Sequence, residues 1–164
     1  MANPRREARG AGATSPRSLS DADYQRLAEL RHGLRSFLHW SAEQAQRAGL
    51  TAAQHQLLLA IRASREPRGP TVSDVAATLL IRHHSAVGLV DRAQEAGLIA
   101  RERYADEQSV VRLRLTDAGA AKLESLSELH LHELAQLAPT MQALWEAVGR
   151  DHAFPHLDAG DFVR

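Results

Sequence analysis

A chain of 164 residues with 44% hydrophobic residues is long enough to bury one core and too apolar in composition to remain unfolded. It contains no cysteine, which removes disulfides, thiolate zinc sites, thiol redox sensing and cysteine nucleophiles together. The formal net charge of +0 is unevenly laid out: from Thr116 onward eight acids face three Lys and Arg, so any nucleic-acid surface is expected upstream of Thr116.

Residues 1–19, rich in Arg, Gly, Ala, Ser and Pro, show no periodicity and are expected to be a disordered basic tail. The start lacks an apolar signal region, and no apolar run approaches the roughly 20 residues that span a bilayer. A soluble, cytoplasmic protein without membrane contact is expected. Ser20 and Asp23 have capping-box spacing, and Tyr24, Leu27, Leu30, Leu34, Phe37, Leu38 and Ser41 recur every three to four residues. A long first helix to about Arg47 follows, stopped by Gly49. Thr51 and Gln54 make a second capping box before the Leu57, Leu58 and Ile61 face of the next helix. SREPRGP is a loop by composition. Val72 is expected to make a short extended contact, and Thr71 or Ser73 to cap a helix through Val75, Ala76 and Leu79.

The segment LLIRHHSAVGLVDRAQEAGLI supplies a further amphipathic helix ending at Gly97. LIARER and VVRLRL then read as a hairpin with the polar tip YADEQS, because Val111, Leu113 and Leu115 alternate with Val110, Arg112 and Arg114. Thr116 caps a Leu-rich helix, and Pro139 suits the first turn of a separate last helix carrying Met141, Leu144, Trp145 and Val148. Four helices, a hairpin and two helices predict a mainly α fold with a small β-hairpin wing. Two consecutive short helices before the hairpin are the plan of a winged helix-turn-helix, in which the second helix enters the major groove.

From about Leu27 to Val148 the chain resembles the MarR family of bacterial transcriptional regulators. The match is carried by LTAAQHQLLLAI, TVSDVAATLLIRHHSAVGLVDRAQEAGLI and VVRLRLTDAG, in that order; VDRAQEAGLI followed some 20 residues later by LTDAG is the strongest combination. The resemblance implies a MarR-like domain over 20–153, with the winged helix-turn-helix at about 51–115, dimerisation helices at about 20–47 and 116–151, and a C-terminal tail at 154–164. It implies a homodimer on a pseudo-palindromic double-stranded DNA operator, most often a repressor, released by a small-molecule effector. One departure stands out. The family usually carries Asp-x-Arg at the wing, whereas here Asp106 is followed two and three positions later by Gln108 and Ser109. Arg101 and Arg103, or Arg112 and Arg114, are the replacements available.

With that resemblance, the candidate DNA contacts are Arg82, His83, His84, Ser85, Gly88 and Arg92 on the fourth helix, and Arg101, Arg103 and Gln108 on the wing. Arg82 can grip a guanine edge or a phosphate, and the histidines and Ser85 can donate to bases or phosphates. Glycine in a helix interior costs roughly 1 kcal/mol relative to alanine, so Gly88 is expected to permit close approach to the groove or to relieve packing. Asp91 can orient a wing arginine or simply face solvent. His39, Trp40 and His55 are the candidate lining of an effector pocket for an aromatic or phenolic anion, the alternative being ordinary packing of Trp40. No cofactor and no metal are expected: neighbouring His83 and His84 do not share a helix face, nor do His130 and His132. No nucleophile–base order or phosphate-cradling glycine motif points to an enzyme. The competing functions are a winged-helix protein-interaction module that does not bind DNA, and a metal-responsive regulator.

Overall fold

The structure is a computed structural model that describes residues 19–107 and 109–151, with the backbone alone described at 144, 145 and 147–151. The tails expected at either end therefore lie outside the described residues, apart from Leu19, as do Gln108 and the side chains of Leu144, Trp145 and Val148. The order is α1 (Asp21–Arg47), α2 (Ala52–Arg62), α3 (Val72–Thr78), α4 (His83–Glu95), β1 (Ile99–Glu102), β2 (Arg112–Leu115) and α5 (Asp117–Asp151). This is a mainly helical winged helix-turn-helix fold with a two-stranded antiparallel wing.

Local chemistry sets the helix ends. Capping boxes start α1 at Ser20/Asp23, α2 at Thr51/Gln54 and α3 at Thr71/Asp74, each satisfying two backbone donors reciprocally. Three helices end on one residue in the left-handed region: Gly49 (φ 73), Leu80 (φ 54) and Gly97 (φ 69). After each, the next amide bonds back five residues, Leu50 to Ala45, Ile81 to Ala76 and Leu98 to Ala93. Leu80 thus occupies a conformation that glycine adopts without strain.

The core gathers Leu57 and Leu58 of α2, Val75 of α3, Val90 of α4, Ile99 and Leu113, all less than 2% exposed, with Leu89, Ala93, Leu123 and Leu126 around them. The register pairs Ile99 with Leu115 and Arg101 with Leu113. Two glycines set the wing's contacts with its neighbours. A Cβ on Gly69 (φ 86) would lie 2.2 Å from the Leu113 carbonyl oxygen, and one on Gly119 would lie 2.0 Å from that of Leu98. Thr116 completes the second junction: its hydroxyl donates to the Gly97 carbonyl at 2.7 Å and accepts from the Gly119 amide at 3.1 Å. The T-D-A-G sequence is thereby a device for starting α5 directly on the end of α4.

Two expectations are corrected. Val72 is the first residue of α3; the extended contact is made two residues earlier, where the Leu113 amide donates to the Pro70 carbonyl at 2.9 Å. Pro139 does not begin a separate helix but lies inside α5. The apolar spacing Leu134, Leu137, Met141 runs across it, and Met141 reaches α1, its sulfur 3.5 Å from where a Cβ on Gly33 would stand. Packing along α1 carries the helix past the missing N–H.

Candidate nucleic-acid interface

The face of α4 is divided by its sequence. Ala86, Leu89, Val90 and Ala93 are buried, while Arg82, His83, His84, Ser85 and Arg92 are exposed. Arg82 is the N-cap residue, extended at φ −69 and ψ 147, and its side chain makes no capping bond. The first turn of α4 therefore presents a guanidinium, two imidazoles and a hydroxyl together. His83 Nδ1 lies 3.4 Å from Ser73 Oγ of α3, which links the two helices at that end. Gly88 is half-buried, and a Cβ there would meet only the Arg92 guanidinium at 3.3 Å, the far end of a flexible side chain. Core packing does not require that glycine.

The wing arginines divide by their partners. Arg101 is tied back onto α4, donating to Asp91 Oδ1 at 2.5 Å and Gln94 Oε1 at 2.6 Å. Asp91 thus holds a wing arginine, one of the two alternatives open in the sequence. Arg103 is exposed just past β1. Arg112 points into the wing instead, donating to Glu107 at 2.7 and 3.2 Å with only 14% of its side chain exposed. Arg114 is exposed and reaches the Pro67 carbonyl at 3.4 Å.

Sequence reasoning passed over Arg68, in the loop between α2 and α3. Its two terminal nitrogens donate to the two oxygens of Asp106 at 2.8 and 2.7 Å, and its guanidinium carbon lies 4.7 Å from the Tyr104 ring centre. The hydrogen bonds from Arg68 hold the Asp106 carboxyl below its ordinary range. No local periodicity links Arg68 with Asp106; the only signal was an aspartate at the wing without the arginine that usually follows it.

The three residues expected to line an effector pocket are not brought together. His39 is exposed and pairs with Glu43 at 3.3 Å. Trp40 and His55 meet instead around His130, with ring centres 5.0 and 4.7 Å from it. His130 Nδ1 lies 2.6 Å from the Leu126 carbonyl, which can only accept, so Nδ1 carries a proton. In the neutral ring Nε2 then accepts from Ser41 Oγ, 2.6 Å away. Among the described residues no group of three or more His, Cys, Asp or Glu is placed to hold a metal, and no helix is long and apolar enough to cross a membrane.

A MarR family model matches residues 48–107, from the end of α1 to the wing. The fold is that of several solved structures. AbsC, a MarR family transcriptional regulator from Streptomyces coelicolor, aligns with a TM-score of 0.62 at 20% identity over 74% of this chain and 81% of its own. CouR from Rhodococcus jostii RHA1, bound to p-coumaroyl-CoA, gives 0.63 at 19% identity over 85% and 99%. A mutant of MepR from S. aureus, bound to an oligodeoxyribonucleotide, gives 0.57 at 19% identity over 71% and 82%. No curated protein matches the sequence.

Proposed function

With residues 48–107 identified as a MarR-family winged-helix unit, we propose that this chain is a sequence-specific DNA-binding transcriptional regulator that acts as a homodimeric repressor. The observation that carries this reading is the first turn of α4, where Arg82 to Ser85 are all exposed while the opposite face is core. Donors on a rigid helix anchored from behind suit base edges and phosphates in a major groove. The likeness to the DNA-bound MepR mutant supports the same geometry.

Dimerisation is supported by the apolar residues that α1 and α5 leave in water. Tyr24, Leu27, Leu34 and Leu38 on α1 are 48–59% exposed, and Leu131 on α5 is 68% exposed. A stripe of this kind on long helices marks an association surface. Two copies would set their α4 helices about one DNA turn, roughly 34–36 Å, apart.

Control by a small molecule extends the proposal, and the likeness to CouR with its bound acyl-CoA supports it. An effector that prefers the geometry unable to bind DNA by 100-fold supplies about 2.7 kcal/mol of coupling, enough to release an operator. The aromatic and phenolic class belongs to this proposal, with Trp40 and His55 packed on His130 where α1, α2 and α5 meet and His39 exposed on α1. One observation favours a second reading as a protein-interaction module: Arg68 and Arg112 are occupied by Asp106 and Glu107. The two readings separate in a salt titration of duplex binding. A DNA regulator loses affinity with a log–log slope near −0.9 per phosphate contact; an interaction module shows no saturable binding at any salt.

A further inference from the structure

The wing joins two four-residue strands through a polar tip of nine residues, an arrangement too short in hydrogen-bonded length to fix its own tip. Something outside the hairpin must hold it. The loop between α2 and α3 does so through a chain of alternating charge. Glu66 lies 3.8 Å from Arg112, Arg112 donates to Glu107 at 2.7 Å, Glu107 lies 3.8 Å from Arg68, and Arg68 grips Asp106 with both nitrogens. The Tyr104 ring beneath Arg68 donates its hydroxyl to Glu102 at 2.8 Å, which anchors the tip to β1. The loop itself is docked by backbone, since Gly69 lies against the Leu113 carbonyl and Pro70 accepts the Leu113 amide.

Exposed single ion pairs contribute little, but a two-pronged guanidinium–carboxylate contact within a network is the exception. Only arginine has the fork that meets both Asp106 oxygens while lying flat on an aromatic ring. The same contacts leave Arg68 committed to carboxylates.

We propose that Arg68 is a positioning residue that latches the wing tip to the α2–α3 loop, setting the wing's angle to α4 for DNA without itself contacting phosphate. This rests on the DNA-binding reading, but the latch has a readout of its own. The experiment uses the full chain and a duplex enriched from a random pool by the wild-type protein, alongside hydrogen exchange of the wing amides without DNA. Arg68→Ala should speed exchange between β1 and β2 and weaken binding about tenfold, equivalent to about 1.4 kcal/mol, with the salt slope unchanged. Arg68→Lys should recover little, and Arg68→Asp combined with Asp106→Arg should restore part of the slow exchange and of the affinity, since the swap loses the Tyr104 stacking and sets a carboxylate near Glu107. Unchanged exchange in Arg68→Ala would remove the latch. A salt slope shallower by about one unit would make Arg68 a phosphate contact instead. Tighter binding by Asp106→Asn would mean that the carboxylate masks the guanidinium, which also overturns the proposal. If no duplex is enriched at all, the DNA-binding reading fails while the exchange data still decide the latch.

Discussion

His55 of α2 and His130 of α5 lie with ring centres 4.7 Å apart and planes tilted by 44°, both almost completely buried. They join the winged-helix lobe to the long C-terminal helix. Burial, and then the charge of His130, push the His55 imidazole below its ordinary pKa. The groups facing it on the packed elements are His130 on α5 and, around that ring, Ser41 and Trp40 on α1; among the described residues no carboxylate is bonded to either histidine. A histidine whose folded pKa is lowered is neutral in the fold and gains a proton more readily when unfolded. Its contribution is therefore complete above about pH 6.5 and is lost as pH falls below that value. Denaturant midpoints measured from pH 7.5 to 5 should fall on the acid side, and His55→Leu should flatten that fall. An equally steep fall in the variant would place the acid sensitivity elsewhere.

Gly88 can be tested with one methyl group. A Cβ would displace only the mobile end of Arg92, so Gly88→Ala should stabilise α4 by about 0.5–1 kcal/mol through helix propensity alone. If the glycine exists to let α4 sit close to the duplex, the same variant will melt higher and bind DNA more weakly. Higher melting with unaltered binding would leave Gly88 without a role at the interface.

Leu80 carries strain that the sequence did not advertise. At φ 54 and 80% exposure it holds the turn between α3 and α4 in the left-handed region without burying its side chain. Replacing it with glycine should raise stability by up to about 1 kcal/mol, because relief of a left-handed side chain, about 1–2 kcal/mol, exceeds the added chain entropy. Thermal melts of Leu80→Gly against the parent would show it, and a lower midpoint would mean that Leu80 makes a stabilising contact.

Gly119 is the opposite case. Its missing Cβ leaves room for the Leu98 carbonyl, which would otherwise stand 2.0 Å away. Backbone must move to admit Gly119→Ala, so a loss of about 2–4 kcal/mol is expected in equilibrium unfolding. A near-neutral change would show that the start of α5 can shift freely against the turn at Gly97 and Leu98 that follows α4.

These positions also show what the sequence could reveal. The starts of α1 and α2 were legible because Ser20 and Thr51 each carry their partner three residues on, and two of the stops because Gly49 and Gly97 announce themselves; at α3 Thr71 and Ser73 both offered a cap, and only the structure selects Thr71 with Asp74. The exposed first turn of α4 followed from the apolar spacing behind it. Leu80 was opaque because a leucine gives no hint of positive φ. Pro139 was misread as a start because the packing that overrides it lies on α1, far away in sequence. The Arg68–Asp106 pair and the clustering of Trp40 and His55 on His130 are long-range meetings with no periodic trace. The sequence singled out Asp106, Trp40 and His55 but had no means of joining them to Arg68 or to His130.

The central claim is that two copies of α4 read a duplex. It is tested most directly by selecting bound fragments from a random double-stranded pool with purified protein at low salt. The account predicts enrichment of an inverted repeat with half-sites about one turn, 10–10.5 base pairs, apart, and loss of about 1–3 kcal/mol of binding in Arg82→Ala. A pool that emerges unenriched, or an enriched site that Arg82→Ala binds as tightly as the parent, would contradict it.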